Sequence, residues 1–268
     1  MAGPTTAERG VRTPSRRPRG ASGPPARGPW FRRPRLPGRR LLLIALAVAV
    51  LLGGVIWALY GSSWLRVEQV RATGTRVLTP DQVTAAADVP MGSPLVSVDT
   101  DGLADRLRER LPRIASVEVS RSWPHGITLD VTERTPVLLI EKGGKFIEVD
   151  VTGRRFATVA KAPEGVPRLE LTLTQSAASR RFPTDRLITE AVRVRDELPR
   201  RVAADTRAVV VRSYDDFSVE LTRGRTVVWG SPDDGEVKAR ALTALMKAAP
   251  EAEHFDVSAP TAPSVSGS

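Results

Sequence analysis

From Leu41 to Tyr60 the chain runs for 20 residues, LLLIALAVAVLLGGVIWALY, without a charged side chain. At about 1.5 Å rise per helical residue such a run spans about 30 Å, the thickness of a bilayer core, and predicts a single transmembrane helix over residues 41–61. Past Trp64 the apolar positions become periodic and punctuated. LRVEQVRATG reads as a strand that closes in a turn at Gly74. Thr79-Pro80-Asp81-Gln82 then offers a capping threonine, proline at the first helical position and glutamine three residues past the cap, so a helix is predicted to carry Val83, Ala86 and Ala87. A second helix is predicted from about Asp99 to Pro112, with Leu103, Leu107 and Leu111 at four-residue spacing on one face. Ile114 to Ser122 and Gly126 to Glu133 alternate in period two and read as strands joined by Ser122-Trp123-Pro124-His125-Gly126. The order is β-α-α-β-β, enough for a three-stranded sheet with both helices on one face.

From Val137 onward the pattern is strand-rich. Val137 to Glu141 and Lys145 to Val151 flank Gly143-Gly144 as a hairpin, Asp150-x-x-Gly153 is a turn, and Arg155 to Val159 continues the sheet. A helix is predicted from Thr184 to Leu198, capped by Thr184 or Asp185, with Leu187, Ala191, Val194 and Leu198 on one face. Strands over 208–212, 217–221 and 225–229 follow. A final helix from about Asp233 to Ala249 is expected to turn Val237, Leu242, Leu245 and Met246 inward. The last ordered stretch is His254 to Pro260, and the Pro, Ser and Ala-rich segment after it is expected to fray.

Charge divides the chain at the apolar run. Residues 1–40 contain 11 arginines and one acid, Glu8, whereas the remainder balances 29 basic against 29 acidic side chains, so the net +10 resides in the tail. The tail is rich in Pro and Gly and almost free of apolar residues before Trp30, and it is expected to be disordered. Arg39 and Arg40 abut the apolar run while residues 61–65 carry no charge, which places Met1 in the cytoplasm by the positive-inside rule. A 40-residue leader and a 20-residue run are too long for a cleaved signal peptide. A neutral folded part also speaks against nucleic-acid binding, which needs a basic patch on a folded face.

Envelope enzymes need chemistry that this sequence does not supply. With no cysteine there is no thiolate nucleophile and no disulfide framework, and no serine has a lysine three residues on. His125 and His254 lie far apart and form no metal-binding spacing, His125 reading as a turn residue. Gly143-Gly144-Lys145 reads as a hairpin turn rather than a phosphate loop. Asp215-Asp216 and Asp233-Asp234 read as a turn and a helix start rather than metal ligands. Trp123 and Trp229 read as packing residues. No catalytic, cofactor-binding or metal site is expected, and no small-molecule substrate.

The chain contains the fragments Val70-x-Ala72-x-Gly74, Gly92-x-Pro94-Leu95 with Val98-Asp99, Leu111-Pro112, Val117-x-Val119 with Trp123-Pro124, and Val131-x-Glu133-Arg134-x-Pro136-Val137. In that order they resemble the POTRA domain and, more specifically, the FtsQ/DivIB family of bacterial cell-division proteins. Pro167-Arg168-Leu169 and Phe255-Asp256-Val257-Ser258-Ala259-Pro260 extend the resemblance through the second domain. It covers roughly residues 41–260, in family order and directly after one N-terminal anchor.

The resemblance implies an α+β protein with a tail over 1–40, an anchor over 41–61, a POTRA domain over 62–134, an FtsQ-type β domain over 135–260 and a disordered end over 261–268. It implies a non-catalytic, essential-type divisome scaffold, single-pass type II in the cell membrane and concentrated at the division septum. Such a scaffold binds the FtsB/DivIC and FtsL ectodomains, linking early ring assembly to septal peptidoglycan synthesis. The implied contact is an open sheet edge at Phe255, Asp256, Val257, Ser258 and Ala259, where an added strand gains main-chain hydrogen bonds. Ser258 and Ala259 stand where some relatives have an arginine and an aromatic, so main-chain pairing is the expected contact. The alternatives are a POTRA-bearing assembly or transport chaperone, which would need repeated POTRA units or a barrel, and a membrane-anchored envelope sensor, which would need a signalling module in the tail.

Overall fold

The computed structural model describes residues 38–172 and 182–267, so the expectation of a disordered tail lies outside the described residues as far as Pro37. Helix α1, Arg39–Gly61, extends for 23 residues and has none of its side chains buried. Among the described residues it alone is long and apolar enough to cross a membrane.

The first globular layer forms from β1 (Gln69–Thr73), α2 (Pro80–Ala87), α3 (Thr100–Arg110), β2 (Ile114–Ser122) and β3 (Gly126–Glu133). β3 is the central strand, parallel to β1 and antiparallel to β2. The capping box at α2 is complete: Thr79 Oγ1 accepts from Gln82 N at 3.2 Å and Gln82 Oε1 from Thr79 N at 2.9 Å. Asp99 caps α3 by accepting from Gly102 N at 3.0 Å. These caps satisfy backbone donors that a helix leaves unpaired. The helices bury Val83, Ala87, Leu103 and Leu107 against Ile127, Leu129 and Val131 of β3. Glu133, at the end of β3, accepts from the N–H groups of Arg76, Val77 and Leu78 at 2.7, 3.1 and 3.0 Å, and so fixes the loop that enters α2.

The second layer is a nine-stranded sheet in the order β12-β11-β10-β9-β8-β7-β4-β5-β6. Its strands are β4 (Leu138–Lys142), β5 (Lys145–Val149), β6 (Arg155–Val159), β7 (Arg168–Leu171), β8 (Thr206–Ser213), β9 (Asp216–Leu221), β10 (Thr226–Gly230), β11 (His254–Asp256) and β12 (Ser264–Ser266). Helices α4 (Thr184–Glu197), α5 (Arg200–Asp205) and α6 (Gly235–Ala248) complete it. Leu187, Ala191 and Val194 of α4 join Val209, Val211, Phe217, Trp229 and Leu242 in one buried cluster.

Four expectations need correction. α4 has Pro183 at its cap without a side-chain bond, and Asp185 instead pairs with Arg155 at 2.6 Å. In α6 Val237 is 42% exposed whereas Lys238 is buried. Lys238, Leu242 and Leu245 are spaced for one helical face, and the Lys238 ammonium is accommodated there by donating to Ser231 O at 2.8 Å. Trp123 does not pack inward but stands 54% exposed, whereas Trp229 is buried as expected. The end of the chain, read as frayed, pairs as β12.

The two layers meet through two ion pairs. Arg113, in the turn before β2, pairs with Glu148 of β5, and Arg134, just past β3, pairs with Asp150. The arginine side chains are 12% and 14% exposed and both acids 4%. Arg134 Nε also donates to Pro112 O at 3.1 Å, and the Arg113 guanidinium lies 5.3 Å from the Phe156 ring centroid. Asp150 accepts in addition from Thr152 N, Thr152 Oγ1 and Arg154 N at 2.9, 2.6 and 3.0 Å. Burial pulls its pKa up, but the Thr152 hydroxyl, Arg134 and the two backbone N–H groups more than offset this, and the carboxyl is held below its ordinary range. The stabilisation is therefore complete above the unfolded value of about 3.9 and is lost as pH falls through the lower folded value. Acid denaturation followed by circular dichroism should show the native chain losing stability more steeply below about pH 4 than Asp150→Asn does.

Candidate functional site

The end of the nine-stranded sheet is built by a parallel crossover. β10 runs into α6, which returns over the sheet to place β11 beside β10 with Thr226 opposite His254, Val227 opposite Phe255 and Val228 opposite Asp256. Thr226 N donates to Glu253 O at 2.8 Å and Val257 N to Val228 O at 3.0 Å. The local sequence dictates how each side chain is placed. Strand alternation sends Phe255 and Val257 into the core, 1% and 0% exposed, beside Val227 and Trp229. His254 and Ser258 remain exposed and Asp256 half-buried.

Past Asp256 the strand ends in a tight side-chain turn. Asp256 Oδ1 accepts from Ser258 N at 2.9 Å and from Ser258 Oγ at 2.7 Å, the local competition by which Asp and Ser end regular ladders. Gly230 makes room for this turn. It has φ +74°, and a Cβ there would lie 2.7 Å from Ser258 Cβ.

The five residues read from the sequence as one edge thus divide by depth. Phe255 and Val257 hold β11 to the core, while Asp256, Ser258 and Ala259 face outward. The expected open edge needs correction too, because β12 pairs antiparallel with β11, Phe255 opposite Val265. Sequence reasoning missed β12 because three residues, Ser264-Val265-Ser266, carry no readable period. It also left Glu133 and Arg134 without a role, although their motif had been singled out. The signal there was a pair of acids, Glu148 and Asp150, spaced to share one face of a strand and matched by two arginines on the preceding domain.

This end of the sheet presents main-chain amides, the short side chains of Ser258 and Ala259, the exposed His254, Glu251 and Glu253, and the Asp256 carboxylate that Ser258 engages. What the arrangement can do chemically is pair a strand.

The first globular layer has a counterpart among known protein families. The family model for the POTRA domain, FtsQ-type, matches residues 65–134. The chain is 62% identical to the cell division protein FtsQ of Streptomyces venezuelae, over 100% of this chain and 99% of that one. It is 60% identical to that of Streptomyces coelicolor, over 100% of both. A solved structure, the major extracytoplasmic domain of the trans isomer of DivIB from Geobacillus stearothermophilus, is similar at 19% identity and a TM-score of 0.32, over 44% of this chain and 94% of that one. With near-complete coverage at that identity, and with a POTRA layer followed by a β-rich layer, the chain belongs to the FtsQ family of bacterial cell-division proteins.

Proposed function

We propose that this chain is a non-catalytic divisome scaffold whose outer domains bind the FtsB/DivIC and FtsL ectodomains by strand pairing at the β11 end of the sheet. The observation that carries the reading is the terminal ladder: among the described residues, β11 is followed at this end by the three residues of β12 alone. The outward groups of Asp256, Ser258 and Ala259 sit beside that ladder, and Phe255 and Val257 keep the strand rigid from behind. A rigid strand covered by so short a neighbour is a template for an added one wherever that neighbour gives way. The absence of cysteine and of any Ser-x-x-Lys supports a role without covalent chemistry. The apolar helix and the arginines before it support a cytoplasmic N-terminus with the folded domains outside, where they would tie ring assembly to septal wall synthesis.

A fluorescent fusion should concentrate at division septa, and uniform membrane labelling in dividing cells would reject the proposal. The contact itself is best tested by photo-cross-linking. A cross-linking side chain at Ser258 or Ala259 should capture the FtsB/DivIC ectodomain, whereas one at exposed Thr158 on β6, the opposite end of the sheet, should not. Capture at Thr158 alone would move the site. Val257→Pro is a poor probe, because the Val257 N–H bonds inward to Val228 O and its loss would unpair β10 from β11.

A further inference from the structure

β12 occupies the very ladder position that an added strand would need. It pairs with β11 over His254 and Ser266, Phe255 and Val265, and Asp256 and Ser264. All three of its residues are exposed, Val265 by 40%. Two serines and one half-covered valine bury little apolar surface, so main-chain bonds hold the strand. The connection returning from β11 is bent by a turn in which Ala262 N donates to Ala259 O at 3.0 Å, and Pro263, which has no N–H to give, stands directly before β12. Beside the strand lies a groove of about 460 Å³ walled by Ala249, Pro250, Glu251 and Ala252 on one side and by Val265 and Ser266 on the other. The small side chains of this tail leave that groove unfilled.

We infer that β12 is a placeholder: the chain's own last segment closes the end of the sheet and gives it up to an extended partner strand. The occupant fitted to replace it runs antiparallel to β11. It carries a bulky apolar residue for the groove beside Ala249 and Ala252, and a basic residue for exposed Glu251 and Glu253. The inference rests on the strand-pairing reading above. Its physical content is a competition. The tether keeps the weak β12 strand at high effective concentration, so it protects the edge from unselective pairing. A partner with more apolar area displaces it, and the partner's apparent affinity falls by the fraction of molecules in which the edge is open.

The chain contains no cysteine, which allows a clean lock. His254→Cys with Ser266→Cys joins two positions that face each other in register. Full-length protein in detergent is titrated with the FtsB/DivIC ectodomain in three forms: native, double-cysteine, and truncated after Pro260. Oxidation of the double-cysteine form should weaken binding by at least about tenfold, with recovery on reduction, and truncation should tighten it by about threefold or more. Failure of the disulfide to form under oxidant would show that β12 does not sit on β11 in solution and would overturn the inference. So would full binding by the oxidised form, or weaker binding after truncation. The two levels separate cleanly. Absence of Ser258 cross-linking in native protein rejects the strand-pairing reading, whereas Ser258 cross-linking with equal affinity in all forms rejects only the placeholder.

Discussion

Asp150→Ala is expected to destabilise the folded part of the chain by about 3–5 kcal/mol, the range for removing one partner of a buried ion pair. Asp150 accepts from Arg134, from both donors of Thr152 and from Arg154 N, so alanine strands a guanidinium that is 86% covered and opens the turn after β5 as well. In a chain of this size that loss corresponds to a fall in Tm on the order of 10 °C. A double-mutant cycle with Arg134→Ala distinguishes the pair from the turn. A coupling of about 2 kcal/mol or more assigns the loss to the joint between the POTRA and β layers, and a coupling near zero would show that the turn alone carries it. Arg134→Lys should recover only part of the stability, because lysine cannot reach Asp150 and Pro112 O together as the guanidinium fork does.

Gly74→Ala is the second change with a large expected effect, about 3 kcal/mol or more from left-handed strain and overpacking combined. Gly74 has φ +78°, and a Cβ there would lie 2.1 Å from the carbonyl oxygen of Val131. The clash is with backbone of the central strand β3, so no side-chain rotation relieves it. Relief requires β1 to separate from β3 or the turn to rebuild. Thermal unfolding of the purified variant measures the cost, and Gly92→Ala is a useful comparison. Gly92 also has positive φ, +76°, but nothing lies within 4 Å of a Cβ there, so only conformational strain applies and the loss should be smaller. Equal losses at both positions would show that the Val131 contact contributes nothing.

These residues also show where reading the chain succeeds. Gly74, Glu133 and Arg134 all belong to fragments that carried the family resemblance, yet their work becomes visible only in three dimensions. Gly74 lies against a carbonyl 57 residues downstream, and Glu133 binds N–H groups 55 to 57 residues upstream. Neither relation leaves a local pattern. Local chemistry was legible wherever it determined the outcome. The capping box at Thr79 depends on residues three apart, and the Leu103 and Leu107 stripe depends on helical period. The α6 face misled because Lys238 is apolar along most of its length and polar only at its tip, so its burial turns on whether Ser231 happens to stand within reach.

By itself the sequence determined the membrane-spanning helix, the separation of a charged tail from a neutral folded part, and the order of elements that marks a POTRA layer. Each of these depends on composition or on spacing over a few residues, which a chain carries whether folded or not. Only the tertiary structure decided that Phe255 and Val257 face the core, that Arg113 and Arg134 join two layers, and that Ser264 to Ser266 close the sheet. Those outcomes depend on which distant segment arrives alongside. For β12 the deciding quantity is the unpaired main chain of β11, to which every residue type except proline contributes alike and which therefore leaves little signature in the sequence.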